Sequence, residues 1–140
     1  MPTDTATQST SQAWETCMGF IPYAQFKTMT QLCRGEEGDH FRDKFQEYAE
    51  RFATMPKTYE QDGMGDNAVA HLHYFTGSAD WYITERDMEA EQHQAFGWAD
   101  LGYGGELGYI SLVEICQHPS VDLDLYFAPA ALAEIKAGQP

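Results

Sequence analysis

His71-Leu72-His73 is the first place in this chain where residue type and spacing could make chemistry. In an extended strand, residues two apart share a face, so both imidazoles would point the same way. Two imidazoles on one side are half of a metal site, which His93, Asp80 or Glu106 would have to complete. The competing reading places the two histidines on a half-exposed sheet face beside Tyr82 or Gln94. Asp122 and Asp124 are a second pair with the same spacing. Paired carboxylates serve acid–base or metal chemistry only when burial perturbs them. Their alternation with Val121, Leu123 and Leu125 predicts a solvated face instead. Cys116 and His118 lie close together, but Cys116 falls on the apolar side of a short predicted helix and reads as core. The run LGYGGE at 101–106 lacks the spacing of a phosphate loop, has no lysine nearby, and carries Glu106, which would repel phosphate. These patterns assign no catalytic residue and no cofactor.

The acid is the stronger signal. From Thr58 to Ile135 there are fourteen Asp or Glu residues and one basic residue, Arg86, a net −13 of the chain's −14. The first 57 residues are nearly balanced, with eight acidic and six basic side chains. A field of one sign attracts basic partners and repels phosphate and anionic lipid. Direct nucleic-acid binding, which needs Lys and Arg on phosphate, is disfavoured at a pI near 4.4. Glu85, Asp87, Glu89, Glu91, Asp100, Glu106, Asp122 and Asp124 are the main acidic groups. One reading is a solvated face that keeps the chain soluble. The other is a track of carboxylates that copies a nucleic-acid backbone and fills an Arg/Lys-lined groove. Tyr82 and Tyr126 are the aromatics placed to join such a contact surface, since Tyr is enriched at interface hot spots. The alternative is ordinary cross-strand packing of these and of Trp81, Trp98, Tyr103 and Tyr109.

The elements that must position these groups follow from periodicity. Residues 1–12 lack any period and read as a disordered leader, with 13–140 as one domain. Its helical part, 13–57, opens on an apolar approach from Trp14 to Ile21. A helix follows from Pro22 toward Gly35, with Ala24, Met29, Leu32 and Cys33 on its stripe. A second helix is capped by Asp39, shows Phe41, Phe45, Tyr48 and Phe52 on one face, and ends at Met55-Pro56. The acidic sheet part, 58–140, starts with a polar connection over 58–67. Strands are predicted over 69–75, 80–84 and 93–99, with an acidic loop over 85–92 and a glycine-rich bend over 101–108. Ser111-Leu112-Val113-Glu114 is a capping box that starts a short helix. A strand over 121–127 and a helix over 129–136 complete the chain. The class is α+β, with helices packed on a small, mostly antiparallel sheet of about four strands.

Three fragments resemble one known family. They are HLHYFTGSADWYITERD (71–87), QAFGWADLGYGGELGYISLVEI (94–115) and DLDLYFAP (122–129). Together they resemble the DUF2958-type domain over about residues 69–130. The resemblance implies a setting on plasmids, integrative elements and phages. It transfers no catalytic residue, because the family is one of unknown function.

The expected function is a non-enzymatic acidic protein that inhibits a host defence or nucleic-acid-processing protein, of anti-restriction or anti-CRISPR type. Its partner would be a basic, nucleic-acid-binding host protein. Two alternatives stay open: a small metal-binding protein or hydrolase using His71 and His73, and a homo-oligomeric structural module. Monomer and homodimer are both compatible with the sequence. Cys17, Cys33 and Cys116 are an odd set at wide spacing, and residues 1–13 show no secretory pattern. With no apolar run of membrane length, a reducing cytoplasmic location is expected.

Overall fold

The computed structural model describes residues 10–87 and 94–138. Three helices come first: α1 (Thr10–Met18), α2 (Tyr23–Leu32) and α3 (Gly38–Thr54). A short turn of 3-10 helix, Gly65–Asn67, precedes the strands. These are β1 (Val69–Ala70), β2 (Leu72–Phe75), β3 (Asp80–Arg86), β4 (Gln94–Asp100) and β5 (Gly105–Ser111). Then come α4 (Leu112–Gln117), β6 (Asp122–Leu123), β7 (Ala130–Ala131) and α5 (Leu132–Ala137). The main sheet has five strands in the order β5-β4-β3-β2-β6, and its strand pairs are antiparallel. A second sheet pairs β1 with β7. The fold is α+β, as the alternation of periods predicts.

The aromatic stripe of α3 makes the core. Phe45 and Tyr48 are fully buried, with Phe41 and Phe52 packed beside them. Phe52 stacks on Phe20 at 4.4 Å, and Phe45 meets Trp14 and Phe26 at 5.5 and 5.3 Å. The sheet supplies the other wall through Leu72, Tyr74, Trp81, Ile83, Ala95, Ile110 and Leu123. Burying each such large side chain is worth about 1.5–3 kcal/mol. Two polar anchors hold the helices in register on the sheet. The Gln25 amide bonds both the N–H and the carbonyl of Leu123, at 2.7 and 2.9 Å. Arg51 donates to the carbonyls of Phe127 and His71, and its guanidinium lies 4.4 Å from the Tyr48 ring.

Several sequence expectations change here. The segment read as an apolar approach begins within α1, because Ala13 and Cys17 bury one turn apart. Two turns of helix are too few to show a period. The expected leader overlaps α1 at residues 10–12. Asp39 does not cap α3, whose N-cap is Glu37; it sits in the first turn and pairs with Arg42. The glycine-rich bend is shorter than expected, and β5 takes over at Gly105. Gly105 and Gly108 weaken its strand signal. Yet Gly105 is required, because a Cβ there would fall inside the Trp98 indole. The strand expected over 121–127 pairs only at Asp122–Leu123. Asp124 ends it by accepting the N–H of Tyr126 at 2.9 Å, a side-chain turn that competes with the ladder. The N-cap bond of the expected capping box is present: Ser111 Oγ accepts the N–H of Glu114 at 3.2 Å.

Candidate functional site

Residues directly paired across an antiparallel ladder share a face. The face turned from α1, α2 and α3, whose middle is covered by Leu132 and Ile135 of α5, therefore resolves into three cross-strand rows. The first runs Asp122, Phe75, Asp80, Asp100, Gly105. The second runs His73, Tyr82, Trp98, Leu107. The third runs Glu85, Phe96, Tyr109.

The first row brings carboxylates together at one end of the sheet. Asp80 and Asp100 stand directly opposite each other on neighbouring strands. Neighbouring strands are about 4.8 Å apart, so like charges there repel. One local counterweight is His73, whose ring nitrogens reach Asp80 at 2.7 Å and Asp124 at 3.3 Å. That ring lies flat on Tyr82, 4.4 Å away with the planes 2° apart. Asp100 also accepts the N–H of Gly102, which turns the chain into β5. Asp122 is exposed at the rim; Glu106 is exposed too, but it pairs with Ala99 and so belongs to the other face.

The third row was not foreseen. Glu85 was expected in an acidic loop, and it is instead in β3 and only 4% exposed. The cause is a bulge between Ile83 and Glu85. One extra residue reverses the alternation, so Glu85 shares the face of Tyr82 and Arg86 turns to the helix side. Arg86 there lies 5.4 Å from the Phe52 ring. The Glu85 carboxylate accepts two backbone bonds, from the N–H of Tyr59 at 2.8 Å and of Gln61 at 2.9 Å. It thereby ties the 58–67 connection onto the sheet. Gln61 completes the tie by bonding Val69 and Thr84.

Between that connection and β5 lies a cavity of about 370 Å³. Tyr59, Phe96, Leu107 and Tyr109 wall it, and Glu85 and Asp62 line it. Phe96 and Tyr109 meet edge to face at 5.4 Å. The Tyr59 and Tyr109 hydroxyls are 3.3 Å apart. Their mutual hydrogen bond, with the charges of Tyr59, Glu85 and Asp62, raises the Tyr109 pKa. Tyr59 has φ of 76°, the one non-glycine residue with positive φ among the described residues. A side chain in that region costs about 1–2 kcal/mol. No motif marks this site. Its signal in the sequence is only a run of aromatics with period two around a buried acid.

Of the residues named in the sequence, Asp100, Asp122 and Asp124 stand near one end of the outer face, whereas Glu106 pairs with Ala99 and lies on the other face. Glu85 lies at the other end, under the aromatics. Asp87 is half-buried just past β3. Glu89, Glu91 and His93 lie outside the described residues. Tyr82 is 9% exposed and packs with Trp98 and Leu132, so it is a wall of the smaller core rather than a contact surface. Tyr126 is 72% exposed, with His40 Nε2 at 2.9 Å from its hydroxyl and Lys44 over its ring. His71 is half-buried, and burial, then Arg51, lowers its pKa. Among the described residues no three His, Cys, Asp or Glu side chains are grouped to hold a metal ion. The Cys116 thiol is buried, which pushes its pKa up to about 12 and leaves it protonated at neutral pH.

Three helices on one side of an antiparallel sheet, with α5 covering the middle of the other side and carboxylates and aromatics at its two ends, define the class of this small α+β protein. Residues 44–132 match the family described as Protein of unknown function (DUF2958), and the chain belongs to that family. The match starts inside α3, so it takes in much of the Phe-striped helix as well as the sheet. No curated protein and no solved structure matches the chain. Among the described residues no helix is long and apolar enough to cross a membrane.

Proposed function

We propose that this protein is a non-enzymatic acidic inhibitor that occupies the basic surface of a nucleic-acid-processing protein of the host. The observation that carries the reading is the cross-strand row Asp122, Asp80, Asp100 at one end of the outer face. A regular sheet spaces these carboxylates rigidly, and rigid spacing suits an Arg/Lys groove shaped for a phosphate backbone. Like charges in register cost stability, and their retention on an open face is what a charge-presenting surface requires. The mobile-element setting that the family resemblance implies supplies a host defence protein, of restriction or CRISPR type, as the target class.

The test is capture from a bacterial host lysate at low and high salt, with and without excess duplex DNA. The double variant Asp122→Lys/Asp80→Asn, both positions in the row, runs in parallel. Asp122 is exposed and the Asp80 side chain is partly so, and Asn keeps an acceptor for His73, so the fold is expected to survive, which circular dichroism checks. A salt-sensitive partner, displaced by DNA and lost with the variant, supports the reading. Equal capture by the variant overturns it.

Self-association has one observation in its favour. β5 is the end strand of the main sheet, and Leu107 and Tyr109 on it are 44% and 60% exposed. Such an edge is a template for pairing with another strand. Light scattering over a range of concentrations decides it: a constant monomer mass removes this reading.

A further inference from the structure

The aromatic cavity beside β5 is chemically distinct from the carboxylate row. Tyr59, Phe96 and Tyr109 are among its walls, the last two meeting edge to face. Its charged lining is purely acidic, Glu85 and Asp62, with no Lys or Arg among the lining residues. Glu85 is 4% exposed, and each of its oxygens already accepts one backbone N–H. A carboxylate oxygen has a second lone pair, so capacity to accept remains on both. An anion would meet two carboxylates and no cation. A purely apolar ligand would cover acceptor capacity without using it. A cation with a flat or alkylated body satisfies both the rings and the acids, because ring faces attract cations and carboxylates accept their N–H groups.

The strain points to the same place. Tyr59 holds positive φ although glycine would do so without cost, and its N–H is pinned by Glu85. That backbone geometry sets the Tyr59 ring over the cavity beside Tyr109, and Gly63 and Gly65 of the same connection line the wall. Strain of this kind collects at ligand clamps.

We infer that this cavity is an organic-cation site, which takes the guanidinium or alkylammonium head of a basic side chain between Tyr59, Phe96 and Tyr109 with Glu85 as its counter-ion. The inference rests on the proposed function only for the source of the cation, a basic partner protein. The carboxylate row would then steer the partner and the cavity would anchor one of its side chains.

Titration with small cations tests the site without any partner, so its failure is separate from failure of the capture experiment. The full chain, labelled with nitrogen-15, is titrated with acetyl-arginine amide, acetyl-trimethyllysine amide and, as the neutral isostere, acetyl-citrulline amide. Amide shifts are followed at Gly63, Gly65, Leu107 and Tyr109. Saturable shifts confined to the cavity with either cation, at least fivefold weaker with citrulline, are expected. The arm that binds more tightly identifies guanidinium or alkylammonium as the head group. Tyr109→Ala should weaken binding at least fivefold; that side chain is 60% exposed, so the fold is expected to persist, and the citrulline comparison does not depend on the variant. Absence of saturable cavity shifts with both cations, or equal binding of citrulline, overturns the inference.

Discussion

The two ends of the outer sheet face use the same chemical group in opposite ways. At one end, Asp122, Asp80 and Asp100 lie in register across the strands, on an open face. At the other, Glu85 is buried under aromatics and spends its charge on two backbone N–H groups. The difference is one inserted residue. The bulge after Ile83 carries Glu85 onto the outer face, where the 58–67 connection closes over it. Net charge alone therefore does not define a charged surface. The row can act on a partner at a distance, whereas Glu85 can meet only a group that enters its cavity.

The comparison breaks most sharply at Glu85. Glu85→Ala removes the acceptor for two buried N–H groups, and a hydrogen bond to a charged group is worth about 1.5–3 kcal/mol. We expect a loss of about 3 kcal/mol in urea unfolding, with faster hydrogen exchange at Tyr59 and Gln61. A loss below about 1 kcal/mol would place Glu85 among the surface acids after all. Gly105→Ala tests the opposite end, where a Cβ would enter the Trp98 ring. Overpacking of that kind costs about 1–3 kcal/mol. An unchanged melting temperature would show that β5 can move away from Trp98.

How much of this could be read beforehand depends on which physics dominates locally. The Phe stripe of α3 and the Ser111 N-cap are local patterns, and both are present. The burial of Ala70, Leu72 and Tyr74 follows from simple alternation. The position of Glu85 could not be read that way, because alternation would have placed it with Trp81 and Ile83 on the helix side. Nothing within the strand announces the bulge; it is a property of pairing with β4. The start of β5 was hidden for the same reason, since Gly105 answers to Trp98 on the neighbouring strand. The carboxylate row was visible as composition, and its register across strands was not. His73 looked like a metal ligand, and each of its nitrogens instead meets a carboxylate, of Asp80 or Asp124.

Smaller effects sharpen the contrast. Tyr59→Gly removes the positive-φ cost of about 1–2 kcal/mol but gives the unfolded chain more freedom. The net expectation is a gain of about 0.5–1 kcal/mol in thermal or urea unfolding, together with loss of cation binding in the cavity. A less stable variant would mean that the ring itself holds the connection down. Asp100→Asn keeps an acceptor for the Gly102 N–H and removes the charge opposite Asp80. A gain of up to about 1 kcal/mol at low salt, shrinking at high salt, is expected. No gain would mean that His73 already offsets the pair.

The smallest effect is a pH slope. Burial and Arg51 lower the His71 pKa from its ordinary 6.5. The unfolded chain then binds the proton more readily than the folded one, so this contribution to stability is complete above pH 6.5 and is lost as pH falls through the folded pKa. His71→Gln should flatten stability against pH in that window. An unchanged slope would assign the acid sensitivity elsewhere.

The central claim is that the open carboxylate end, and not total charge, engages a basic partner. The most direct measurement is the affinity of the captured partner as a function of salt, for the natural chain and for Asp122→Lys/Asp80→Asn. The account predicts a steep fall in affinity with salt for the natural chain, and weaker, flatter binding for the variant. Superimposable curves would contradict it.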